Sequence, residues 1–386
     1  MNGSSESIAI TSKDFAMEVT RRTFLGGAAA LAAAGCSTTG SEVPGYVATG
    51  DIKAFLLHLG HNMWCDWFPE DMDLSRLKAE FKAKGGNPFP DTELRSKDEY
   101  WRMVTDRIAA KGLNMLVIDI GEGLVFPSHP ELAIKGSWTP DKMRDEIRRL
   151  NAQGIEVIPK LNFSTSHNGW LKHYRRMLST PTYYKVCEDL IRDVAEIFGN
   201  PRFMHIGFDE ETARHQDNSK RCLYVSVRKG EFWWHDFLHI VRTCEKNSMR
   251  AWTWSDYGWH HPEYYKRCPK SVLQSNWYYD EVCEGFELSQ MPAKAECRSI
   301  VQGFYELDKA GFEQIPCGTN WVGWKRRHRN LNADDVIGRL INVCRRDISK
   351  KNLKGFMMAP WASCDTKEHM EFNLKGVDLF AEALKG

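Results

Sequence analysis

The chain has no excess of charge of either sign: 52 Lys and Arg face 51 Asp and Glu, a formal balance of +1. Nothing in that balance calls for nucleic acid or an acidic membrane surface as a partner. Cysteine pairs at metal-binding spacing are also missing. The 11 cysteines are scattered, with no Cys-x-x-Cys element and no zinc-like spacing to the 13 histidines. Neither a metal nor any other cofactor is therefore expected. No phosphate-type glycine loop follows the first apolar segment, which disfavours a doubly wound nucleotide-binding sheet. Internal repeats and low-complexity stretches are absent too. What the 386 residues do contain is 42% hydrophobic and 12% aromatic side chains, with 14 Trp. That is ample material for a large core, and flat apolar faces suit ligands as well as packing.

The first 36 residues are set apart from the fold. "TRRTFLGGAAALAAAGC" places Arg21 and Arg22 before a short Ala/Gly-rich run that stops at Cys36. The run is too short to span a bilayer and resembles a twin-arginine export signal. Its "AAGC" end resembles a lipoprotein cleavage site, which implies Cys36 as a lipidated anchor and a destination in the periplasm or cell envelope. The competing reading is an Ala-rich buried helix. A polar linker follows at about 37–50, leaving residues 51–386 for one folded domain. Ten cysteines remain in it, expected mainly as buried free thiols.

Eight apolar segments recur through that domain: 54–60, 114–121, 155–163, 203–210, 250–257, 271–280, 313–321 and 355–362. Amphipathic stretches separate them. "TPDKMRDEIRRLNAQG" (139–154) opens on Thr-Pro-Asp and closes on Gly, and "PTYYKVCEDLIRDVAEIFGN" (181–200) keeps its apolar residues on one face. Eightfold strand–helix alternation predicts an α/β fold, a (β/α)8 TIM barrel. Sites in such barrels form at the C-terminal strand ends. Here those ends carry His61, Glu122, His167, Asp209 with Glu210, Asp256, Trp277, Trp321 and Trp361.

The fourth segment, "FMHIGFDEE" (203–211), ends in three consecutive acids. Period-two geometry sends Met204, Ile206 and Phe208 toward the outer helices and His205, Gly207 and Asp209 into the barrel. Gly207 then leaves a gap below the mouth, and Glu210 sits where strand gives way to loop. The bland alternative is a helix start, since Asp caps helices and acids favour their first turn. Glu211 reads as a solvated first-turn acid. His205 is either a barrel-interior histidine or a ligand contact. The Trp233–Trp234 pair reads as packing, and "KRRHR" (325–329) as a solvated basic surface.

"HIGFDE" resembles the His-x-Gly-x-Asp-Glu signature of glycoside hydrolase family 20, the β-N-acetylhexosaminidases. "LNMLVID", "HPEL", "WTPDKMRDEIRRLNAQGIEVIP", "VIPKLNFSTSH", "RAWTWSD" and "GFMMAPWA" are similar to that family's strands in the same order, so the likeness covers roughly residues 54–365. It implies a glycan substrate cleaved with retention, in which the substrate's own 2-acetamido oxygen attacks the anomeric carbon. It further implies Glu210 as acid/base and Asp209 as the residue orienting the acetamido group. A raised pKa is expected for the acid, from burial beside a second carboxylate. Trp254, Trp277 and Trp361 are implied as walls of the sugar pocket, with His61, Glu122, His167 and His205 around it.

The sequence also departs from the family. His61 stands about where an arginine usually holds sugar hydroxyls. Lys160 and Asn162 replace the acids of Pro-Glu-x-Asp on the third strand. The tyrosine expected on the seventh strand is replaced by Val322 if "GTNWV" is that strand. Tyr278 is the alternative, though its spacing fits the sixth strand better. The small α/β domain that commonly precedes the barrel does not fit before residue 50. Two other readings stay open: a glycosidase for another sugar with Asp256 or Glu122 as nucleophile, and a carbohydrate-binding protein without turnover.

Overall fold

A computed structural model describes residues 46–84, 88–218, 223–279, 298–321, 334 and 336–386. The expected leader with Cys36, Val322 and the 325–329 basic run lie outside the described residues. Eight parallel strands lie in the order β6-β5-β4-β3-β2-β1-β8-β7. They are β1 (Ile52–His58), β2 (Met115–Asp119), β3 (Glu156–Lys160), β4 (Phe203–His205), β5 (Arg250–Trp254), β6 (Leu273–Ser275), β7 (Cys317–Gly318) and β8 (Gly355–Met358). The parallel bridges Gln274–Gln314 and Trp277–Cys317 join β6 to β7 and complete the ring. The (β/α)8 barrel expected from the alternation is therefore the fold, and each expected strand segment overlaps one observed strand, with β1 beginning two residues earlier than expected.

Helix punctuation follows the sequence. Thr139, Thr180 and Thr366 each accept a backbone N–H of the first turn, and Pro140 and Pro181 occupy the first helical positions of 140–152 and 181–197. Thr supplies the missing acceptor, and Pro has no N–H to lose there. One face of each of these three helices is buried in the cluster around the ring.

Strand alternation divides the core in two. Phe55, Leu57, Leu116, Ile118, Met204 and Ile206 point outward into the large cluster shared with the helices. Ile52, Ala54, Leu56, Met115, Val117, Ile158, Phe203, Trp252 and Leu273 fill the interior. Two residues further along the same inward rows come His58, Asp119, Lys160 and His205, all fully buried. An apolar floor thus carries a polar layer directly beneath the C-terminal mouth. The Trp233–Trp234 pair packs in the outer cluster. Cys187, Cys244, Cys268, Cys317, Cys344 and Cys364 are buried free thiols.

Candidate active site

The polar layer is a charge-compensated platform. Lys160 Nζ reaches Asp119 Oδ2 at 2.5 Å, and His58 Nδ1 lies 3.2 Å from the same oxygen. Burial alone would raise the Asp119 pKa, but Lys160 and His58 outweigh it and hold the carboxylate ionised. His205 is pushed the other way, well below an ordinary imidazole, by burial and the nearby Lys160. Its Nδ1 accepts the Gly207 N–H at 3.2 Å, and its ring lies 4.6 Å from that of Trp254. His205 is thus a neutral interior histidine under the site.

Regular pairing in β4 stops at His205, earlier than the expected 203–210. Gly207, Phe208 and Glu210 all have positive φ, at 73°, 69° and 53°. Two non-glycine residues in that region represent stored backbone strain of about 1–3 kcal/mol each. The neighbouring loop supplies restraints. Ser164 Oγ donates to the Asp209 carbonyl at 2.5 Å, Ser166 Oγ to the Glu210 carbonyl at 2.6 Å, and the Glu210 N–H donates to Asp256 Oδ2 at 2.8 Å. The Ser-Thr-Ser run after β3 is therefore a clamp on the acid pair. The gap expected beside Gly207 is filled: a Cβ there would come within 2.0 Å of Asn162 Oδ1.

The three consecutive acids occupy three different environments. Asp209 Oδ1 accepts from Asn162 Nδ2 at 2.8 Å, and Oδ2 lies 3.4 Å from His167 Nδ1. Burial opposes its charge, yet His167, Lys160 and Asn162 together hold its pKa well below the usual carboxylate range. The Glu210 side chain is 32% exposed and lies 3.5 Å from His167 Nε2 and 3.0 Å from His215 Nε2. Glu211 corrects the expectation of a solvated acid. It is buried, with both oxygens 2.7 Å from the Arg228 guanidinium, which also reaches Asp236 at 3.0 Å and the Phe163 carbonyl at 2.8 Å. Asp256, at the same mouth, has a raised pKa, through burial first and the proximity of Asp209 second.

The structure gathers His167, Asp209, Glu210 and Asp256 at one mouth, with Trp254 and Trp361 beside them at a ring separation of 5.8 Å. Trp361 has φ +61°, a second strained point at the β8 end. Trp254 is only 1% exposed, so its ring is covered in this conformation. Trp277 stacks on Tyr279 at 4.9 Å, and Tyr279 lies 6.2 Å from Trp361. Tyr278 is turned into the outer cluster, because alternation after β6 sends 277 and 279 inward and 278 outward. Tyr279 is thus the inward phenol, and "NWYYD" follows β6 as its spacing indicated. His61 sits at the rim, 4.9 Å from Trp64. Glu122 is not in water: it is buried and accepts the backbone N–H of His61 at 2.6 Å and of Asn62 at 3.0 Å. Burial, opposed by those bonds, raises its pKa to about 7. Its contacts hold the β1 loop.

Three contributors escaped the sequence reading. Asn162 appeared there only as a lost acid. His215 lies on the short helix Ala213–Asn218, where nothing in the local pattern marks it. Tyr279 was readable from alternation once the register of β6 was fixed. His167, Glu210 and His215 also bring three potential donor atoms within 4.8 Å of one another.

No protein-family model matches the chain, and no curated protein matches it in sequence. Solved structures do. The GH20 β-N-acetylhexosaminidase from Streptomyces coelicolor A3(2) superposes with a TM-score of 0.54 at 14% identity, over 85% of this chain and 64% of that one. The GH20 exo-β-N-acetylglucosaminidase from Vibrio harveyi, in complex with N-acetylglucosamine, gives 0.51 at 15%, over 86% and 54%. Dispersin B gives 0.50 at 17%, over 75% and 95%. The chain therefore spans less than two thirds of the length of the first two. At these identities the likeness is one of fold, and the fold is a divergent barrel of the kind that GH20 hexosaminidases possess.

Proposed function

We propose that the protein is a retaining glycoside hydrolase that removes terminal 2-acetamido sugars by substrate-assisted catalysis. The observation that carries this reading is the division of labour between adjacent acids. Asp209 is buried and fixed as an anion by Asn162 and His167, whereas Glu210 reaches the solvent-facing rim. In the first step the acetamido oxygen attacks the anomeric carbon while Glu210 gives its proton to the departing glycosidic oxygen. Asp209 accepts the acetamido N–H and stabilises the positive charge of the cyclic intermediate. In the second step Glu210 takes a proton from water, which attacks the same carbon and reopens the ring. Holding nucleophile and reacting carbon in one molecule removes an entropic cost. Tyr279 takes the acetamido contact in this reading in place of Tyr278, a role supported by its inward side chain, and Trp361 and Trp277 offer aromatic faces.

Asp256 as the nucleophile of a two-carboxylate mechanism is disfavoured, since burial and the neighbouring Asp209 raise its pKa well above the ordinary carboxylate value. Hydrolysis of chromogenic N-acetyl-β-glucosaminide and -galactosaminide tests the reading. Glu210→Gln should lose most of that activity, and a thiazoline analogue of the intermediate should inhibit the wild type. Unchanged turnover in the Gln variant rejects Glu210 as the acid. Saccharide binding without cleavage of any glycan would instead identify a binding protein.

Export to the periplasm or cell envelope, with a lipid at Cys36, belongs to the same proposal and rests on the "RRTFL" and "AAGC" elements. Replacing Arg21 and Arg22 together with Lys should retain the protein in the cytoplasm. Cys36→Ala should release it from the membrane fraction.

A further inference from the structure

Beside the acid pair, three potential metal donors converge at the rim. Glu210 Oε2 lies 3.0 Å from His215 Nε2 and 3.5 Å from His167 Nε2. All three donor atoms lie within 4.8 Å of one another, the sole such trio among the described residues. The one His-x-x-x-His pair of the chain, His235 and His239, belongs to no such trio, and Tyr184 packs against both of its rings. Tetrahedral zinc with bonds of about 2.0–2.2 Å requires donors spaced by roughly 3.3 Å, close to two of the observed separations. The other ring nitrogen of His167 faces Asp209 Oδ2 at 3.4 Å. A carboxylate behind a histidine is the backing that metal-bound imidazoles receive, since it fixes the tautomer and turns the lone pair of Nε2 toward the ion. The trio is also restrained before any ion arrives. Ser166 and Asp256 pin the Glu210 backbone, and His167 is buried. His215 and Glu210 are each about one-third exposed, at 33% and 32%, which gives an ion access and leaves a position for water.

We propose that His167, Glu210 and His215 form a binding site for a divalent transition-metal cation of the zinc class, and that the bound cation occupies the Glu210 carboxylate in competition with catalysis. Two imidazoles and one carboxylate suit zinc, cobalt, nickel or copper and do not suit calcium or magnesium, which need oxygen donors. On binding, the ion takes the Oε2 lone pair and any proton on Glu210 passes to solvent, so no acid remains for the glycosidic oxygen. Binding stands on geometry alone; the inhibitory consequence rests on the glycosidase reading.

The test uses untagged, metal-stripped full chain titrated with Co(II), read by visible d–d absorption, and with Zn(II), read by calorimetry. One ion per chain is expected, with no comparable response to Mg(II). His215→Ala and Glu210→Gln should each weaken binding by about tenfold or more, and Asp209→Asn by about 10–100-fold through the backing of His167. His260→Ala, at an exposed histidine outside the trio, should leave it unchanged. In parallel, hydrolysis of the chromogenic N-acetylglucosaminide by wild type should fall with the same midpoint as occupancy and return on chelation. Absence of a one-to-one cobalt spectrum overturns the site. So does undiminished affinity in both His215→Ala and Glu210→Gln when their thermal melts match wild type. Full hydrolysis at full occupancy overturns the competition. A metal-binding chain with no hydrolytic activity when metal-free would instead refute the proposed function and leave the site standing.

Discussion

Asp209, Glu210 and Glu211 are identical in charge and consecutive in sequence, yet each has a different fate. Their differences come from partners outside the run: Asn162 and His167, more than 40 residues away, for Asp209, and His215 and Arg228, further along the same segment, for Glu210 and Glu211. Asn162 has two tasks, because its amide donates to Asp209 and its oxygen accepts the Ser164 N–H at 3.0 Å. A hydrogen bond to a charged acceptor contributes about 1.5–3 kcal/mol, and each 1.36 kcal/mol of barrier is about tenfold in rate. On the proposed function, Asn162→Ala should therefore lower kcat on the chromogenic N-acetylglucosaminide about 10–100-fold while the protein remains folded. An unaltered kcat with a normal circular dichroism melt would show that Asp209 needs no such restraint.

At the scale of the strand, period two builds the site. Each inward row contributes an apolar residue to the floor and then a polar one to the layer above: Leu56 then His58, Val117 then Asp119, Ile158 then Lys160. The Lys160–Asp119 pair is held in a dry environment, where removing one member strands the other. Lys160→Met should destabilise the barrel by about 3–5 kcal/mol, visible as a lower urea midpoint. Adding Asp119→Leu should recover most of that loss, since a well-packed apolar pair replaces a buried ion pair at little net cost. A double variant as unstable as the single one would show that Asp119 is not left uncompensated in the single variant.

For the whole molecule, Glu122 ties stability to pH. Its folded pKa is raised from 4.5 to about 7 by burial, so the native state binds a proton more tightly than the unfolded chain does. The stabilising contribution is complete below about pH 4.5 and is lost as pH rises to about 7. At 1.36 kcal/mol per unit the change amounts to about 3 kcal/mol. Denaturation midpoints of wild type should fall across that interval relative to Glu122→Gln, whose amide has no proton to lose. Parallel pH dependences in the two proteins would contradict the assignment. Glu122 also links the β1 and β2 loops, through the backbone of His61 and Asn62. The rim is thus sensitive to the same titration.

The barrel was legible in the sequence because its signals are local. Hydrophobic periodicity, Thr-Pro helix starts and eightfold alternation depend only on near neighbours in the chain, and each produced the element expected of it. The acid pair was legible for the same reason, as acids placed where an inward row meets a loop. Tertiary structure decided the rest, since charge state depends on what distant segments bring within a few ångströms. Glu211 looked solvated until Arg228, 17 residues on, buried it. Gly207 looked like a gap until Asn162 filled it. Tyr278 gave way to Tyr279 once the β6 register fixed which faces point inward. His215 joined His167 and Glu210 only because the loops after β3 and β4 fold over the same rim.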